Sequence, residues 1–232
     1  MKGDGAMERY KILYEDETLF VLWKAAGIPV QSARASVPDV MHLLQNRLLE
    51  EESKELRLFL INRLDQPVEG LFLVARQEKA AAELNRQVSG RTHMEKWYQA
   101  LVCGKPPKEK GTLVDYLLKD GRTNTSRVVP AGMKGAKRCE LSYEVIQEWE
   151  HRSLLRICLL TGRHHQIRVQ LAHAGVPIAG DRKYGKADAG EEKLSLCACK
   201  ICFTHPKTGE QMQYQVEPTF LLPGADRGKK GL

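Results

Sequence analysis

The sequence lacks the features that mark membrane, secreted and nucleotide-driven proteins. No apolar run in its 232 residues approaches the length of a membrane span, and the charged residues 1–17 do not suit a secretory signal. The six cysteines are scattered without the spacing of a disulfide framework, which indicates a reducing compartment. There is no G-x-G-x-x-G fingerprint. There is no Walker loop either, because Gly185 and Gly190 have its glycine spacing but are followed by Glu191 where the loop requires Lys. We therefore expect a soluble, cytoplasmic protein without a nucleotide cofactor.

Positive charge is concentrated in the middle of the chain. The formal net charge is +7, which favours a polyanionic partner. Between residues 119 and 138 a single acid, Asp120, stands among six basic residues, which are Lys119, Arg122, Arg127, Lys134, Lys137 and Arg138. Such a run is most often a solvated loop. The interleaved Thr, Asn, Ser and Gly also suit sequence-independent contacts to phosphate and sugar.

Short apolar runs bounded by turn residues predict an α+β fold. No repeat or low-complexity linker interrupts the chain, so one domain is the simplest count. Strands outnumber helices and do not alternate regularly with them, which favours a largely antiparallel sheet. Helices are predicted at residues 36–48, 80–88 and 163–175, and strands at residues 10–14, 18–23, 58–61, 71–75, 96–102, 140–147 and 154–160.

One acidic residue, Asp65, lies in a predicted turn between two strongly apolar runs. Residues 58–61 precede the turn and residues 71–75 follow it, while Pro67 and Gly70 favour a loop. An acid in a loop held by two core strands keeps a fixed position and can still reach a substrate. The alternative is an Arg–Asp pair that merely closes the turn.

A second segment, residues 161–175, begins with a Thr that could cap a helix and ends with Gly. Apolar residues recur within it at helical spacing, so one face is expected to pack inward. Arg163, His164 and Arg168 lie on other faces near the helix start, where cations oppose the macrodipole. This cluster indicates an anionic partner, either a phosphate or a carboxylate such as Asp65. A solvated basic face is the simpler alternative.

These segments resemble the three motifs of the RluA family of RNA pseudouridine synthases, in the family's order. The similarity rests on Arg63-Leu64-Asp65 with Gly70, on residues 96–104 and on residues 162–175, with further matches at residues 14–17, 24–27, 180–185 and 203–206. It covers roughly residues 10–220. The sequence departs from the family at Asn62, where many members carry His, at residues 66–69 and at residues 197–198. These departures bear on the substrate and the fine geometry.

The resemblance implies a single pseudouridine-synthase-like domain with a mixed, largely antiparallel sheet, flanking helices and a central active-site cleft. The catalytic domain would span residues 10–222, after an N-terminal extension at residues 1–9 and before a basic, disordered tail at residues 223–232. No S4 RNA-binding domain is expected, because so few residues precede the first strand. We expect a monomer that binds RNA and no membrane.

The resemblance also implies the chemistry, which is the isomerisation of specific uridines in structured ribosomal or transfer RNA to pseudouridine without cofactor or metal. Asp65 would act as nucleophile or as base, and the sequence leaves both routes open. Arg168 would pair with Asp65, and Tyr98 would stack on the target base. Arg63 could fill the space left by the flipped base or form a structural salt bridge. The remaining substrate-binding candidates are Leu196, Arg163, His164 and Gln166.

Two rival interpretations compete with this assignment. His93-Met94-Glu95 and Cys199-Lys200-Ile201-Cys202 fit the two halves of a zinc nucleobase deaminase, although Ala198 stands where Pro should precede the second half. Cys197, Cys199, Cys202 and His205 could also suggest structural zinc, but alternation along a strand separates Cys202 from the other two cysteines. The second rival is a non-catalytic RNA-binding module with the same fold.

Overall fold

The computed structural model describes residues 9–32, 37–52, 57–90, 94–185, 193–220 and 222–223. The chain divides into two compact units. The first unit comprises Met1–Tyr98, Cys158–Leu160 and Cys197–Pro218, and the second comprises Gln99–Ile157, Thr161–Leu196 and Thr219–Leu232. The predicted extension at residues 1–9 and the basic tail at residues 223–232 lie almost wholly outside the described residues.

Strands dominate the described part of the chain, as predicted. The helices are α1 (Val40–Glu52), α2 (Glu78–Gly90) and α3 (Gln166–His173). The strands are β1 (Tyr10–Glu15), β2 (Leu19–Lys24), β3 (Phe59–Leu60), β4 (Glu69–Ala75), β5 (Glu95–Cys103), β6 (Lys110–Asp120), β7 (Thr125–Val128), β8 (Lys137–Glu148), β9 (Arg152–Leu159), β10 (Leu196–Thr204) and β11 (Gln211–Gln215). No described helix combines the length and the apolar character that crossing a membrane would demand.

The first unit contains a mixed, largely antiparallel sheet, which confirms the predicted fold class. Its strands run in the order β1-β2-β4-β10, with β3 on β4 and β11 on β10. The β4–β10 pair is parallel, whereas the β1–β2, β2–β4, β3–β4 and β10–β11 pairs are antiparallel. Every residue of β4 is buried, which explains its almost continuous apolar sequence. This strand therefore carries the middle of the core.

Helices α1 and α2 begin and pack as their sequences predict. Asp39 precedes α1, and its carboxylate accepts a hydrogen bond of 2.8 Å from the backbone N–H of His42, which satisfies a donor that the first turn leaves unpaired. Val40, Leu44 and Leu48 are buried at helical spacing on α1. In α2 the buried apolar residues Ala80, Ala81 and Leu84 join the core of the first unit.

The basic segment at residues 119–138 exposes all six of its basic residues to solvent, as its composition favours, but only part of it is a loop. Strand β6 continues to Asp120 and pairs with β7 in an antiparallel hairpin, and β8 begins at Lys137 and pairs with β6 on the other edge. The strands within this segment were not predicted, because they are buried on one face only. Their charged outward residues hide the period-two pattern, although Leu117, Ser126 and Cys139 are buried beneath them.

Helix α3 is shorter than predicted, beginning at Gln166 and ending at His173. His165 has φ 55° and ψ 24°, a left-handed conformation that cannot continue a helix backwards. Thr161 therefore does not cap the helix. Ile167 and Leu171 pack inward as expected, but Ala174 is exposed, and burial extends to every residue from Gln166 to Leu171, including Arg168. The helix is enclosed rather than amphipathic.

Candidate active site

Asp65 lies in an irregular segment between β3 and β4 that is fixed on both sides. Leu64 and Val68 are buried, and the backbone N–H of Val68 donates to the carbonyl of Asp65 at 3.0 Å, which closes a turn. Upstream, the side-chain oxygen of Asn62 accepts a hydrogen bond of 2.9 Å from the backbone N–H of Leu73 on β4. Asp65 itself is only half-buried. The turn thus holds a carboxylate at a defined position within reach of solvent.

Lys24, at the end of β2, is the residue of this site that sequence reasoning missed. Its side chain is fully buried, and its ammonium donates to the carbonyls of Ala25 (3.1 Å), Gln66 (3.1 Å) and Val68. Two of these carbonyls belong to the turn that follows Asp65. The sequence signals were a lysine that ends an otherwise apolar strand and the match of residues 24–27 to the family, neither of which indicated a buried side chain.

The electrostatic environment of Lys24 is shaped by burial and by Asp65. Burial lowers the pKa of the ammonium from its usual 10.5 to about 7, while the carboxylates of Asp65 and Glu69 oppose this shift. A fully buried amine with three carbonyl acceptors is well satisfied when it is charged. Lys24 therefore holds the Asp65 turn from inside the protein, and with a pKa of about 7 its amine is only partly protonated at neutral pH.

Tyr98 lies on β5 and is buried, with 7% of its surface exposed. Burial raises the pKa of its hydroxyl well above the ordinary value, and the Asp65 carboxylate and the Cys199 thiol raise it further. The influence of Asp65 on this pKa means that Tyr98 and Asp65 are close enough to interact within the first unit. The hydroxyl stays protonated at neutral pH, so Tyr98 can offer an aromatic face and a donor but not a base.

Gly70 fixes the strand that follows the Asp65 turn. It lies inside β4 rather than in a loop, and it pairs with Ala198 in the parallel β4–β10 ladder. Its φ is +120°, and a Cβ at this position would come within 2.3 Å of the carbonyl oxygen of Ala198. Only glycine permits this approach.

In the second unit, Arg168 forms a bidentate ion pair with Asp181. Its Nε and Nη2 atoms donate to the two carboxylate oxygens at 2.8 Å each. The two side chains are only 7% and 1% exposed. Burial alone would raise the pKa of the Asp181 carboxyl, but the Arg168 guanidinium and the backbone N–H groups of Lys183 and Tyr184 lower it below its usual value. Sequence reasoning did not foresee Asp181 as a partner, and the pairing of Arg168 with Asp65 stays a prediction.

The other candidates of the third motif differ in their surroundings. Gln166 is buried; its carbonyl oxygen accepts from the Thr161 hydroxyl at 2.8 Å and from the Arg163 backbone at 3.0 Å, and its amide donates to the carbonyl of Glu140 at 3.1 Å. These contacts fix the Gln166 side chain, and its role towards substrate stays a prediction. Arg163 is exposed, and the His164 ring lies at the protein surface against β7. Their contacts with RNA stay a prediction.

The remaining two substrate-binding candidates, Arg63 and Leu196, differ in their exposure to solvent. Arg63 is exposed beside the Asp65 turn, whereas Leu196 is buried, with 3% of its surface exposed, at the start of β10. Their roles towards a target base stay predictions. His93 of the deaminase pattern lies outside the described residues. In the described part of the chain, no group of three or more His, Cys, Asp or Glu side chains could hold a metal ion.

Comparison with known proteins identifies the family. The model of the RNA pseudouridylate synthase family matches residues 18–173, a range that contains Asp65, Tyr98 and Arg168. The chain belongs to this family. The resemblance found in the sequence is thereby confirmed, and the three charged or aromatic residues on which it rested all lie within the matched region.

Bacterial members of the family align along most of the chain. The chain is 35% identical over 213 residues to ribosomal large subunit pseudouridine synthase C of Escherichia coli strain K12, covering 88% of this chain and 65% of that protein. The protein of the same name from Pasteurella multocida is 35% identical over 210 residues, covering 88% and 63%. The chain thus spans slightly less than two thirds of the length of these relatives.

Two solved human structures share the pseudouridine synthase fold. Human RNA pseudouridylate synthase domain containing 4 superposes with a TM-score of 0.73 at 20% identity, covering 89% of this chain and 88% of that one. Human RNA pseudouridylate synthase domain containing 1 gives a TM-score of 0.71 at 22% identity, covering 97% and 94%. At these identities the likeness concerns the fold alone.

Proposed function

We propose that this protein isomerises specific uridines in structured RNA to pseudouridine, with Asp65 as the reacting carboxylate. The observation that carries the proposal is a half-buried acid in a closed turn that is held by a buried lysine, with its charge acting on a buried tyrosine, in a member of the RNA pseudouridylate synthase family. Because the aligned bacterial relatives are named for the large ribosomal subunit, we propose ribosomal RNA as the substrate. A cytoplasmic location belongs to the same proposal.

The proposed reaction suits the residues of the turn. It breaks the bond between C1′ and N1 of uridine, turns the base and rejoins it through C5, with no net oxidation and no group transferred to a second molecule. A carboxylate can start this sequence either as nucleophile or as base towards a ribose proton. Both routes need Asp65 ionised.

Tyr98 and Arg168 have supporting roles in the proposal. An aromatic face can stack on a base that has left its helix, an interaction worth about 1–3 kcal/mol. Tyr98 is the proposed stacking residue, and its protonated hydroxyl can donate to a polar atom of the base. Arg168 is the residue that we propose to place a positive charge near the reacting acid. Asp181 orients its guanidinium through two hydrogen bonds.

RNA binding is assigned to the basic hairpin, which we define as β6 and β7 with the turn between them. Lys119, Arg122 and Arg127 are exposed along it, and Lys137 and Arg138 are exposed at the start of β8. Flexible cations on a pleated surface suit phosphate contacts that carry no sequence information. The hairpin would therefore position the RNA, and other residues would select the uridine.

Tritium release tests the proposed function directly. Ribosomal RNA transcribed in vitro with tritium at uracil C5 is incubated, without cofactor, with the parent protein, with Asp65→Asn and with Glu78→Gln. Glu78 is exposed on α2 and provides a matched loss of one acid. We expect release by the parent and by Glu78→Gln, and none by Asp65→Asn. Tight RNA binding by a parent that releases no tritium would instead favour the non-catalytic RNA-binding module.

A further inference from the structure

The turn that follows α3 in the chain, residues 181–185, holds Arg168 from two directions. Asp181 binds the edge of the guanidinium with both carboxylate oxygens. The ring of Tyr184 covers a face of the same group, with the Arg168 Cζ atom 5.2 Å from the ring centroid. A bidentate carboxylate fixes the plane of a guanidinium, and an aromatic face limits its tilt. Together they leave Arg168 little freedom.

The hydroxyl of Tyr184 links this turn to two other elements of the second unit. It accepts the backbone N–H of Ser126 on β7 at 2.8 Å, and it lies 2.6 Å from Nδ1 of His165. Because the Ser126 N–H can only donate, the hydroxyl hydrogen is available to His165 Nδ1.

His165 determines where α3 begins. Its left-handed backbone ends the loop, so that the helix begins at Gln166, which lies two residues before Arg168. The His165 ring is buried against the edge of the Tyr184 ring, with the two ring centroids 5.5 Å apart. The His164 ring stacks on it at 3.7 Å and contacts the Ser126 hydroxyl at 2.9 Å. Tyr184 and His164 therefore hold the start of α3 against the same strand, β7.

We infer that Tyr184 is a positioning residue for Arg168, acting through its ring on the guanidinium and through its hydroxyl on the start of α3. The inference rests on the proposed function only for its kinetic consequence. Reaction rates depend steeply on placement, and a shift of about 1 Å in a reacting group can cost on the order of a hundredfold. Tyr184 should thus affect the rate of the chemical step more than the affinity for RNA.

Two variants separate the ring from the hydroxyl. Tyr184→Phe keeps the ring but leaves the Ser126 N–H and His165 Nδ1 without their shared partner, and Tyr184→Leu removes the ring as well. In single-turnover tritium release at saturating protein, we expect a loss of roughly tenfold for Phe and a larger loss for Leu, with unchanged RNA affinity. Tyr143→Phe, a change at a buried tyrosine of β8, serves as the matched control and should keep the parent rate.

A double-mutant cycle tests whether Tyr184 acts through Arg168. Lysine at position 168 has no guanidinium plane to orient, so Tyr184→Phe should cost little more in an Arg168→Lys background. Equal losses in both backgrounds would overturn the inference. So would a parent-like rate in Tyr184→Phe, or a loss explained by weaker RNA binding. A purely structural tyrosine would lower the melting temperature and leave the rate unchanged.

Nuclear magnetic resonance provides a readout that needs no enzymatic activity. In protein labelled with ¹⁵N-arginine, the Arg168 Nε–H signal, assigned by its disappearance in Arg168→Lys, should be protected from exchange by its bond to Asp181. We expect Tyr184→Leu to lower that protection and Tyr143→Phe to leave it unchanged. Unaltered protection in Tyr184→Leu would reject the positioning role even if the parent protein released no tritium. Release by the parent tests the proposed function separately.

Discussion

Lys24 couples protein stability to pH through a single buried amine. In the unfolded chain this amine titrates near its usual pKa of 10.5, whereas in the folded protein burial lowers its pKa to about 7. Between these values the unfolded state binds a proton that the folded state does not, so the free energy of unfolding rises as the pH rises from about 7 to 10.5. Below pH 7 both states are protonated, and the contribution is constant and unfavourable.

We predict that the parent gains stability relative to Lys24→Met as pH rises from 7 towards 10.5. Methionine has nearly the same length and cannot titrate, so the difference between the two proteins isolates Lys24 from other groups. Urea unfolding at several pH values within this window measures the difference. A gap between the two unfolding free energies that stays constant across the window would show that the ammonium titrates normally in the folded protein.

Arg168 contributes to the stability of the fold, which the family motif alone does not reveal. We predict that Arg168→Ala lowers the free energy of unfolding by about 3–5 kcal/mol, because it leaves the Asp181 carboxylate buried without its bidentate partner. Thermal unfolding measures the loss. The double variant Arg168→Met with Asp181→Leu should recover much of the stability without recovering activity, and a fully stable Arg168→Ala would contradict the argument.

At the scale of elements, the β4–β10 ladder depends on a glycine. We predict that Gly70→Ala strongly destabilises the first unit, because its Cβ would overlap the Ala198 backbone, which cannot move without opening the parallel pair. Hydrogen exchange of the β4 and β10 amides measures the opening. Gly121→Ala, where nothing lies within 4 Å of the added atom, is the control. Unchanged exchange in Gly70→Ala would mean that the two strands tolerate the wider spacing.

The exposed arginines of the basic hairpin are predicted to contribute to RNA binding. Replacing Arg122 and Arg127 with Glu should weaken RNA binding uniformly across sequences and reduce the slope of log affinity against log salt by about 0.7–0.9 for each phosphate that the protein no longer neutralises. Filter binding over a salt series measures both quantities. The paired control replaces Lys79 and Arg86, which are exposed on α2, with Glu. An equal effect from that pair would show that the hairpin is not a preferred contact.

The elements differ in how far their sequences reveal them. Helix α2 and strands β2 and β4 were predicted because their apolar spacing has one dominant period. The β6–β7 hairpin was not, since its outward charges outweigh the inward residues in any local count. The start of α3 depends on the backbone of His165, which is held by Tyr184, 19 residues further along. No local pattern in the sequence carries that contact.

At the scale of the whole molecule, the charged residues are distributed over both units. Lys24 and Asp65 belong to the first unit, and Arg168 and Asp181 to the second. Resemblance to the family singled out Asp65 and Arg168 because they stand inside its motifs. Lys24 and Asp181 stand in matched segments as well, but their importance follows from burial and from partners distant in the chain. Burial and distant partners are the information that only a folded structure supplies.

The route of the chain through the first unit has a consequence for its synthesis. Gly70 pairs with Ala198, which lies 128 positions later in the chain, and this pairing completes the strand after the Asp65 turn. At roughly 5–20 residues per second, the ribosome needs on the order of ten seconds to produce that interval. Until β10 emerges, β4 lacks one hydrogen-bonded neighbour and exposes an apolar edge. Nascent chains should therefore need protection against aggregation during that interval, and the strand that follows the Asp65 turn gains its last neighbour only once β10 has emerged.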